Sequence, residues 1–249
     1  MKALITGASS GIGRDMARIL SKKGYDLILV AKDKTKLDDI KKELGGNTKA
    51  ISMDLTSTYN CLELYNDTKD EDIDILINDA GFGLYGDFCS TKLDKELDMI
   101  DINIKALHTL TKLYLPDFKK KNKGYILNVA SMAAFMPGPM MATYYATKAY
   151  VLSLTEAINE ELRQDNSTVY VGVLCPGPVK TDFNKVAKVR FTIDSMSSYD
   201  VASIAIDGIF KKKEIIIPSF TLKLLLFLKR FVSRKFLAHI AYGFQKSNK

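Results

Sequence analysis

Short runs of uninterrupted apolar residues recur along the chain, each followed by a segment with helical periodicity. That alternation restricts the fold more than any single motif does. The runs are Lys2–Thr6, Asp26–Ala31, Ala50–Met53, Ile73–Ile77, Tyr125–Val129 and Val169–Leu174, with a last short one at Glu214–Pro218. A strand that is apolar at nearly every position, rather than at every second one, needs cover on both faces, as in a parallel sheet. The intervening segments supply it. Ile12, Met16, Ile19 and Leu20 recur at helical spacing, and helices are expected at Lys34–Gly45, Tyr59–Lys69, Lys92–Lys112, Ala142–Leu162 and Asp200–Phe210. Five or six strand–helix repeats imply an α/β fold, a doubly wound parallel sheet with helices on both faces. No repeat, low-complexity stretch or linker divides residues 1–218, and residues 219–249 read as an extension of the same domain.

Composition sets outer limits. Hydrophobic residues make up 47% and charged residues 26% of 249, which is globular rather than disordered. With only His108 and His239, neither a histidine-based metal site nor a histidine triad is expected. Cys61, Cys89 and Cys175 follow no metal or redox spacing and read as buried apolar residues in a reducing compartment. Met1-Lys2 leads straight into a strand-like run, and no apolar stretch approaches the ~20 residues that span a bilayer. A cytoplasmic protein is expected. The net charge of +7 does not point to nucleic acid, because from Lys211 onward ten basic residues face only Glu214. The excess belongs to the tail, not to the domain.

The first strand runs into Thr6-Gly7-Ala8-Ser9-Ser10-Gly11-Ile12-Gly13 and then a helix. Strand, glycine turn and helix together offer unpaired helix N-terminal N–H groups to a phosphate, so this turn reads as a dinucleotide site. The second strand ends at Ala31, where such folds often carry the acid that takes the ribose hydroxyls. Lys32 follows instead, which favours a 2′-phosphate and hence NADP(H). Asp33 keeps NAD(H) open.

Tyr144 and Lys148 stand four residues apart, on one face of the expected helix. A phenol has a reference pKa of about 10, and a cation beside it favours the phenolate. Ser131, thirteen residues before Tyr144 at the end of an apolar run, could hydrogen-bond the substrate oxygen that Tyr144 protonates. Taken alone, the pair could equally be a tyrosine and a lysine on an ordinary helix surface. Asn103, amid Ile100, Ile102, Ile104 and Leu107, is mildly unfavourable in mid-helix, so a role or a local contact explains it.

Taken together, Thr6–Gly13, the Asn78–Gly81 turn, Asn103, Ser131, Tyr144, Lys148 and the Pro176–Thr181 turn resemble the short-chain dehydrogenase/reductase family of the T-G-x-x-x-G-x-G type, over essentially the whole chain. The resemblance implies a single Rossmann-like domain of seven parallel strands and hydride transfer between a nicotinamide cofactor and an alcohol or carbonyl. It implies Tyr144 as general acid/base, Lys148 on the nicotinamide ribose lowering the Tyr144 pKa, Ser131 orienting the substrate oxygen, and Asn103 holding a relay water. Gly7, Gly11 and Gly13 would line the pyrophosphate, Asp54 would meet the adenine and Thr181 the carboxamide. Ser9, Ser10, Ile12, Lys32, Leu55, Asn78, Ala80, Gly81, Pro176, Gly177 and Val179 would complete the cofactor site. Asp79 replaces the usual second Asn of the N-N-A-G turn, adding negative charge on the adenosine side. The alternative is a non-catalytic nucleotide-binding sensor or scaffold.

Two regions are expected to shape the substrate site. Residues 184–199 are polar and weakly patterned, as a lid would be. Ser219–Lys235 interleaves leucines and phenylalanines with Lys223, Lys229, Arg230, Arg234 and Lys235, and resembles the C-terminal extension of a bacterial subgroup often labelled DltE-like. It reads as one basic amphipathic helix. Such a helix lies on an anionic membrane, gates an apolar channel, or packs on its own domain or a partner subunit. The family resemblance also implies a small-molecule or lipid-like substrate and a homodimer or homotetramer.

Overall fold

The computed structural model describes residues 1–181, 183, 187 and 195–247. Its centre is a seven-stranded parallel sheet in the order β3-β2-β1-β4-β5-β6-β9. The strands are β1 (Lys2–Thr6), β2 (Asp26–Ala31), β3 (Thr48–Ser52), β4 (Ile75–Asn78), β5 (Tyr125–Val129), β6 (Tyr170–Leu174) and β9 (Ile215–Ile216); β7 (Val179–Lys180) and β8 (Met196–Ser197) form a separate small pair. The fully apolar runs are explained by what their two faces meet. Ala3 and Ile5 of β1 pack with α1 (Gly11–Lys22), α2 (Lys34–Leu44) and α7 (Ser198–Phe210), whereas Leu4 between them packs on the opposite side. That second face is covered by α3 (Thr58–Thr68), α5 (Leu107–Lys121) and α6 (Ala142–Gln164). Alternation along the strand thus divides one run between two cores.

Strand order reverses between β1 and β4, because the chain leaves the edge at β3 and re-enters beside β1. A crevice forms outside the carboxyl ends of the strands at such a reversal. Here the Thr6 hydroxyl ties its walls, accepting from the N–H groups of Asp79 and Ala80 at 3.1 Å each. Behind it, a buried polar string crosses the sheet. Asn78 Nδ2 donates to Asn128 Oδ1 over 2.9 Å, and Asn128 Nδ2 donates to Thr155 Oγ1 over 3.1 Å.

Several elements differ from expectation. The helix expected at Lys92–Lys112 is α4 (Leu93–Ile100), a π-helical segment (Asp101–Ala106) and α5, which runs to Lys121 with Pro116 inside it. Asn122, at φ 47°, ends it. The strand expected over Glu214–Pro218 shrinks to Ile215–Ile216. The tail is two helices rather than one, α8 (Phe220–Leu228) and α9 (Arg234–Ser247), joined by a 3-10 turn. Ser233 makes the break, since its hydroxyl accepts the Phe236 N–H and opens a new helix in place of continuing the old one. Cys61 and Cys175 are buried, but Cys89 is exposed. The expected lid lies outside the described residues over 184–186 and 188–194; its end forms β8 and the start of α7. No helix among the described residues is long and apolar enough to cross a membrane.

Candidate active site

A cleft of about 1030 Å³ opens at the carboxyl ends of β1, β2, β4 and β5 and continues under the tail helices. At one end the turn after β1 meets the turn after β4 so closely that only glycine fits. Gly7 adopts φ +71°, and a Cβ there would lie 2.8 Å from the Ala80 nitrogen; one on Gly13 would lie 2.6 Å from Asp79 Oδ2 and 2.7 Å from the Gly7 carbonyl oxygen. Ser10 stands at the N-cap of α1 without a side-chain bond to the helix, so the helix N-terminus faces the cleft through its backbone. Gly7, Ser9, Ser10, Gly11, Ile12, Leu55, Ala80, Gly81, Pro176, Gly177, Val179 and Thr181 all line the cleft as expected residues of a nucleotide site. This cradle fits a dinucleotide pyrophosphate. Gly13 sits beneath the turn rather than on its surface, and Asn78 points back into the buried polar string, away from the cleft.

Lys32 and Asp54 lie at the β2 end and are paired with each other, Nζ to Oδ2 at 2.6 Å. The bond raises the lysine pKa and holds the carboxyl below its ordinary range. Asp33, which sequence leaves as a rival for the ribose, is otherwise engaged. Its carboxylate caps α2 by accepting the Lys36 N–H at 3.1 Å, and it does not line the cleft. Lys36 does.

The other wall carries Ser131, Tyr144 and Lys148, brought together as the spacing requires. Helix α6 places the Tyr144 ring 5.8 Å from Lys148 Nζ, and both side chains are buried. Lys148 Nζ donates to the Val129 carbonyl oxygen over 2.8 Å. Ser131 caps the 3-10 turn Met132–Phe135 by accepting the Ala133 N–H at 3.2 Å, donates to the Pro176 carbonyl at 3.5 Å, and stands beside the Tyr144 hydroxyl. The electrostatics correct one expectation. Burial pushes the Tyr144 phenol well above its ordinary value, opposed by Ser131 rather than by Lys148, so the phenol is held protonated. Burial also brings Lys148 down to about 8, against the pull of Asp79.

Asp79 is not on the adenosine side. It lies under the first turn of α1, accepting the Gly13 N–H and facing Lys148; burial raises its carboxyl to about 7 despite both. The Asn103 side chain is fully engaged within the protein. Its Nδ2 donates to the Phe82 carbonyl at 3.0 Å and to Thr147 Oγ1 at 3.1 Å, while its Oδ1 accepts the Phe82 N–H at 3.1 Å. It clamps the 81–82 turn to α6. The π-helical turn that carries Asn103 explains the mid-helix asparagine.

Past Tyr144 the cleft is apolar, lined by Phe82, Met141, Tyr145, Phe183 and the tail residues Leu222, Leu226, Val232 and Phe244. Gln245 anchors this roof. Its Nε2 donates to the Tyr145 hydroxyl and its backbone carbonyl accepts from the Tyr85 hydroxyl, both at 3.0 Å. Sequence gives no signal for Gln245, because a lone glutamine near a chain end has no pattern around it.

A family model described as short chain dehydrogenase matches residues 1–189. An uncharacterized oxidoreductase of Staphylococcus epidermidis is 34% identical over 181 residues, covering 72% of this chain and 78% of that protein. A very-long-chain 3-oxoacyl-CoA reductase of Phaeosphaeria nodorum is 32% identical over 215 residues, 82% of this chain and 62% of its relative. Among solved structures, the short-chain dehydrogenase from Sphingobium yanoikuyae in complex with NADPH gives a TM-score of 0.81 at 32% identity, covering 88% of each chain. The chain belongs to the short-chain dehydrogenase family and is an oxidoreductase that uses a nicotinamide cofactor on CH–OH or C=O groups.

Proposed function

We propose that this short-chain dehydrogenase is an NADP(H)-dependent carbonyl reductase for substrates in which the reacting C=O adjoins a long apolar group. The observation that carries the reading is the junction of two surfaces at Tyr144. On one side stands the protonated phenol with Ser131, and on the other the apolar chamber roofed by the tail. The very-long-chain 3-oxoacyl-CoA reductases among the relatives act, by name, on a ketone of that kind, which supports the same substrate class.

When bound, the nicotinamide supplies the hydride. The rest of the chemistry falls to this chain. The Ser131 hydroxyl holds the carbonyl oxygen of the substrate, and the Tyr144 hydroxyl donates its proton to that oxygen as negative charge develops. A phenol held protonated by burial suits this direction. Lys148, fixed on Val129, holds the nicotinamide ribose and keeps positive charge near the phenolate left behind. Asn103 acts by holding the 81–82 turn and α6 in register. Gly7, Ser9, Ser10, Gly11, Ile12, Leu55, Ala80, Gly81, Pro176, Gly177, Val179 and Thr181 hold the nucleotide, with Gly13 shaping their turn.

NADP preference is supported by Ala31 where an acid would stand, by Asp33 being engaged as a helix cap, and by Lys32 and Lys36 on the cleft. The exposed basic tail is where peripheral membrane contact would occur, and the family supports assembly as a homodimer or homotetramer.

The test pairs binding with turnover. The chain has no tryptophan, so nicotinamide fluorescence reports binding over a low background. NADPH is expected to bind more tightly than NADH, and Tyr144→Phe to lose reduction of long-chain ketones by about 10²- to 10⁴-fold with NADPH binding intact. Retained turnover in that variant overturns the mechanism. Binding of neither nucleotide favours the sensor or scaffold.

A further inference from the structure

Helix α8 reads Phe-Thr-Leu-Lys-Leu-Leu-Leu-Phe-Leu, seven apolar residues in nine, and none of them is buried. A helix that is apolar all round is normally enclosed on every side. Here, among the described residues, one side has an occupant and the other has none. Leu222, Leu225 and Leu226 look into the substrate chamber, whereas Phe220, Leu224, Phe227 and, just beyond the helix, Phe231 lie outside it. Phe220 is 80% and Phe231 78% exposed, so among the described residues both aromatic rings stand largely uncovered. Phe231 stands edge-on to Phe227 with centroids 6.0 Å apart, and the Arg230 guanidinium lies 5.9 Å from the Phe227 ring, so the outer face is a continuous aromatic and basic surface. Helix α9 continues it with exposed Phe236 and Tyr242.

We propose that this outer face docks on an anionic lipid bilayer, so that the chamber draws its substrate from the membrane rather than from solution. Charge selects this occupant. From Ile215 to Lys249 the chain carries no acidic residue, while Lys223, Arg230, Arg234 and Lys235 rim the exposed apolar face. Rings seated at the depth of the headgroups and cations among lipid phosphates satisfy both parts of the surface together. A second copy of the chain does not. A two-fold contact sets the same patch against itself, and these cations would then meet each other with no carboxylate in reach. The two faces of α8 also give the docking a purpose: the leucines lining the chamber lie on the reverse side of the helix that touches lipid. The proposal rests on the apolar-substrate reading above and names where that substrate comes from.

Full-length protein is sedimented with vesicles of phosphatidylcholine alone and with vesicles of equal parts phosphatidylcholine and phosphatidylglycerol. It is expected to pellet with the mixed vesicles and to stay in solution with phosphatidylcholine alone. The pair Phe220→Ser, Phe231→Ser and the pair Lys223→Gln, Arg230→Gln should each lower partitioning at least about tenfold. None of these residues lines the cleft, so reduction of a short water-soluble ketone should stay within about twofold of the parent, which also reports folding. Failure to pellet, or equal pelleting with both vesicles, overturns the proposal. So does a dimer that splits in the Phe220→Ser, Phe231→Ser pair while vesicle binding is unchanged, which gives the face to a second copy. Binding with the expected charge dependence but no reduction of any ketone upholds the docking and overturns the reductase reading instead.

Discussion

Lys148 donates its ammonium hydrogen to the carbonyl oxygen of Val129 over 2.8 Å, which pins the second turn of α6 to the last residue of β5. Ser131 lies two residues beyond Val129 and stands beside Tyr144, one helical turn before Lys148. One strand end therefore sets the position of both functional groups of the helix. Their relative geometry is a property of the sheet, not of a loop.

That placement has a cost in stability. Burial brings the Lys148 pKa from 10.5 to about 8 in the folded protein. A depressed lysine pKa means that the charged form is disfavoured by folding. The penalty is fully present below about pH 8 and fades between about 8 and 10.5. Lys148→Met should therefore lose turnover by about 10²- to 10³-fold yet unfold at higher urea near pH 7, by about 1–3 kcal/mol. The gain should vanish as pH rises past the lysine's unfolded value. Urea titrations of both proteins at neutral and alkaline pH check this. A less stable variant at pH 7 would mean that the Val129 bond outweighs the desolvation.

Asp79 faces the same ammonium from under α1, with its carboxyl raised to about 7. As pH rises through about 7 it gains negative charge beneath the turn that would hold the pyrophosphate, so NADPH binding should weaken across that interval. Asp79→Asn removes the titrating group and should flatten the profile there. It also removes the charge that supports the Lys148 ammonium. The alkaline loss of kcat/KM should accordingly move to lower pH in the variant. Fluorescence titration of NADPH and a pH–rate series separate the two effects, and unchanged profiles in both would remove Asp79 from the electrostatics of the site.

Lys32 and Asp54 test cofactor choice from opposite sides. Their ion pair is exposed, and such pairs contribute at most about 1 kcal/mol, so a phosphate can compete for the lysine. Asp54→Asn frees Lys32 and should tighten NADPH by up to about fivefold without improving NADH. Lys32→Ala should weaken NADPH by about tenfold or more and leave NADH nearly unchanged. Parallel titrations of the two nucleotides decide it. An equal loss for both would show that Lys32 shapes the adenosine end without reading the 2′-phosphate.

What was legible in the sequence follows from periodicity and local chemistry. Runs such as Leu27–Ala31 announce a strand covered on both faces, and the Gly7–Gly13 turn announces a close approach, because both signals are written in adjacent residues. Tyr144, Lys148 and Ser131 were legible as a group since one helix and one strand end hold them. Asn103 was visible only as an oddity, as a π-helical turn has no propensity signature that distinguishes it from the α-helix around it. The rise in the Tyr144 pKa was not legible at all. A nearby lysine lowers a phenol in water, but the sign here is set by burial, which the helix acquires only on packing with the 82–85 loop, Ala133 and Phe183. Asp79 shows the same limit, being next in sequence to the cofactor turn and in space beneath Lys148.

The roof of the chamber is tied by Lys229 to the Phe135 carbonyl over 2.6 Å and, at the end of α9, by two tyrosines. The Tyr85 hydroxyl donates to the Gln245 carbonyl, and Gln245 Nε2 donates to the Tyr145 hydroxyl, each over 3.0 Å. Together they fasten the end of α9 to the loop after β4 and to the residue beside Tyr144. Removing either hydroxyl forfeits a bond of about 1 kcal/mol, so Tyr85→Phe and Tyr145→Phe should each loosen the roof by about fivefold in its closed population. Neither change alters Ser131, Tyr144 or Lys148, and Tyr145→Phe keeps the ring that stands edge-on to Tyr144. The expected signature is a KM for long-chain ketones raised several-fold, with kcat and NADPH affinity held within about twofold. The double variant should exceed either single one, because both bonds act on the one helix end. Steady-state kinetics on a short and a long ketone completes the argument, since a short substrate that never reaches the roof should be reduced alike by all four proteins. A fall in kcat on the short ketone would mean that Tyr145 acts on Tyr144 directly and not through the tail.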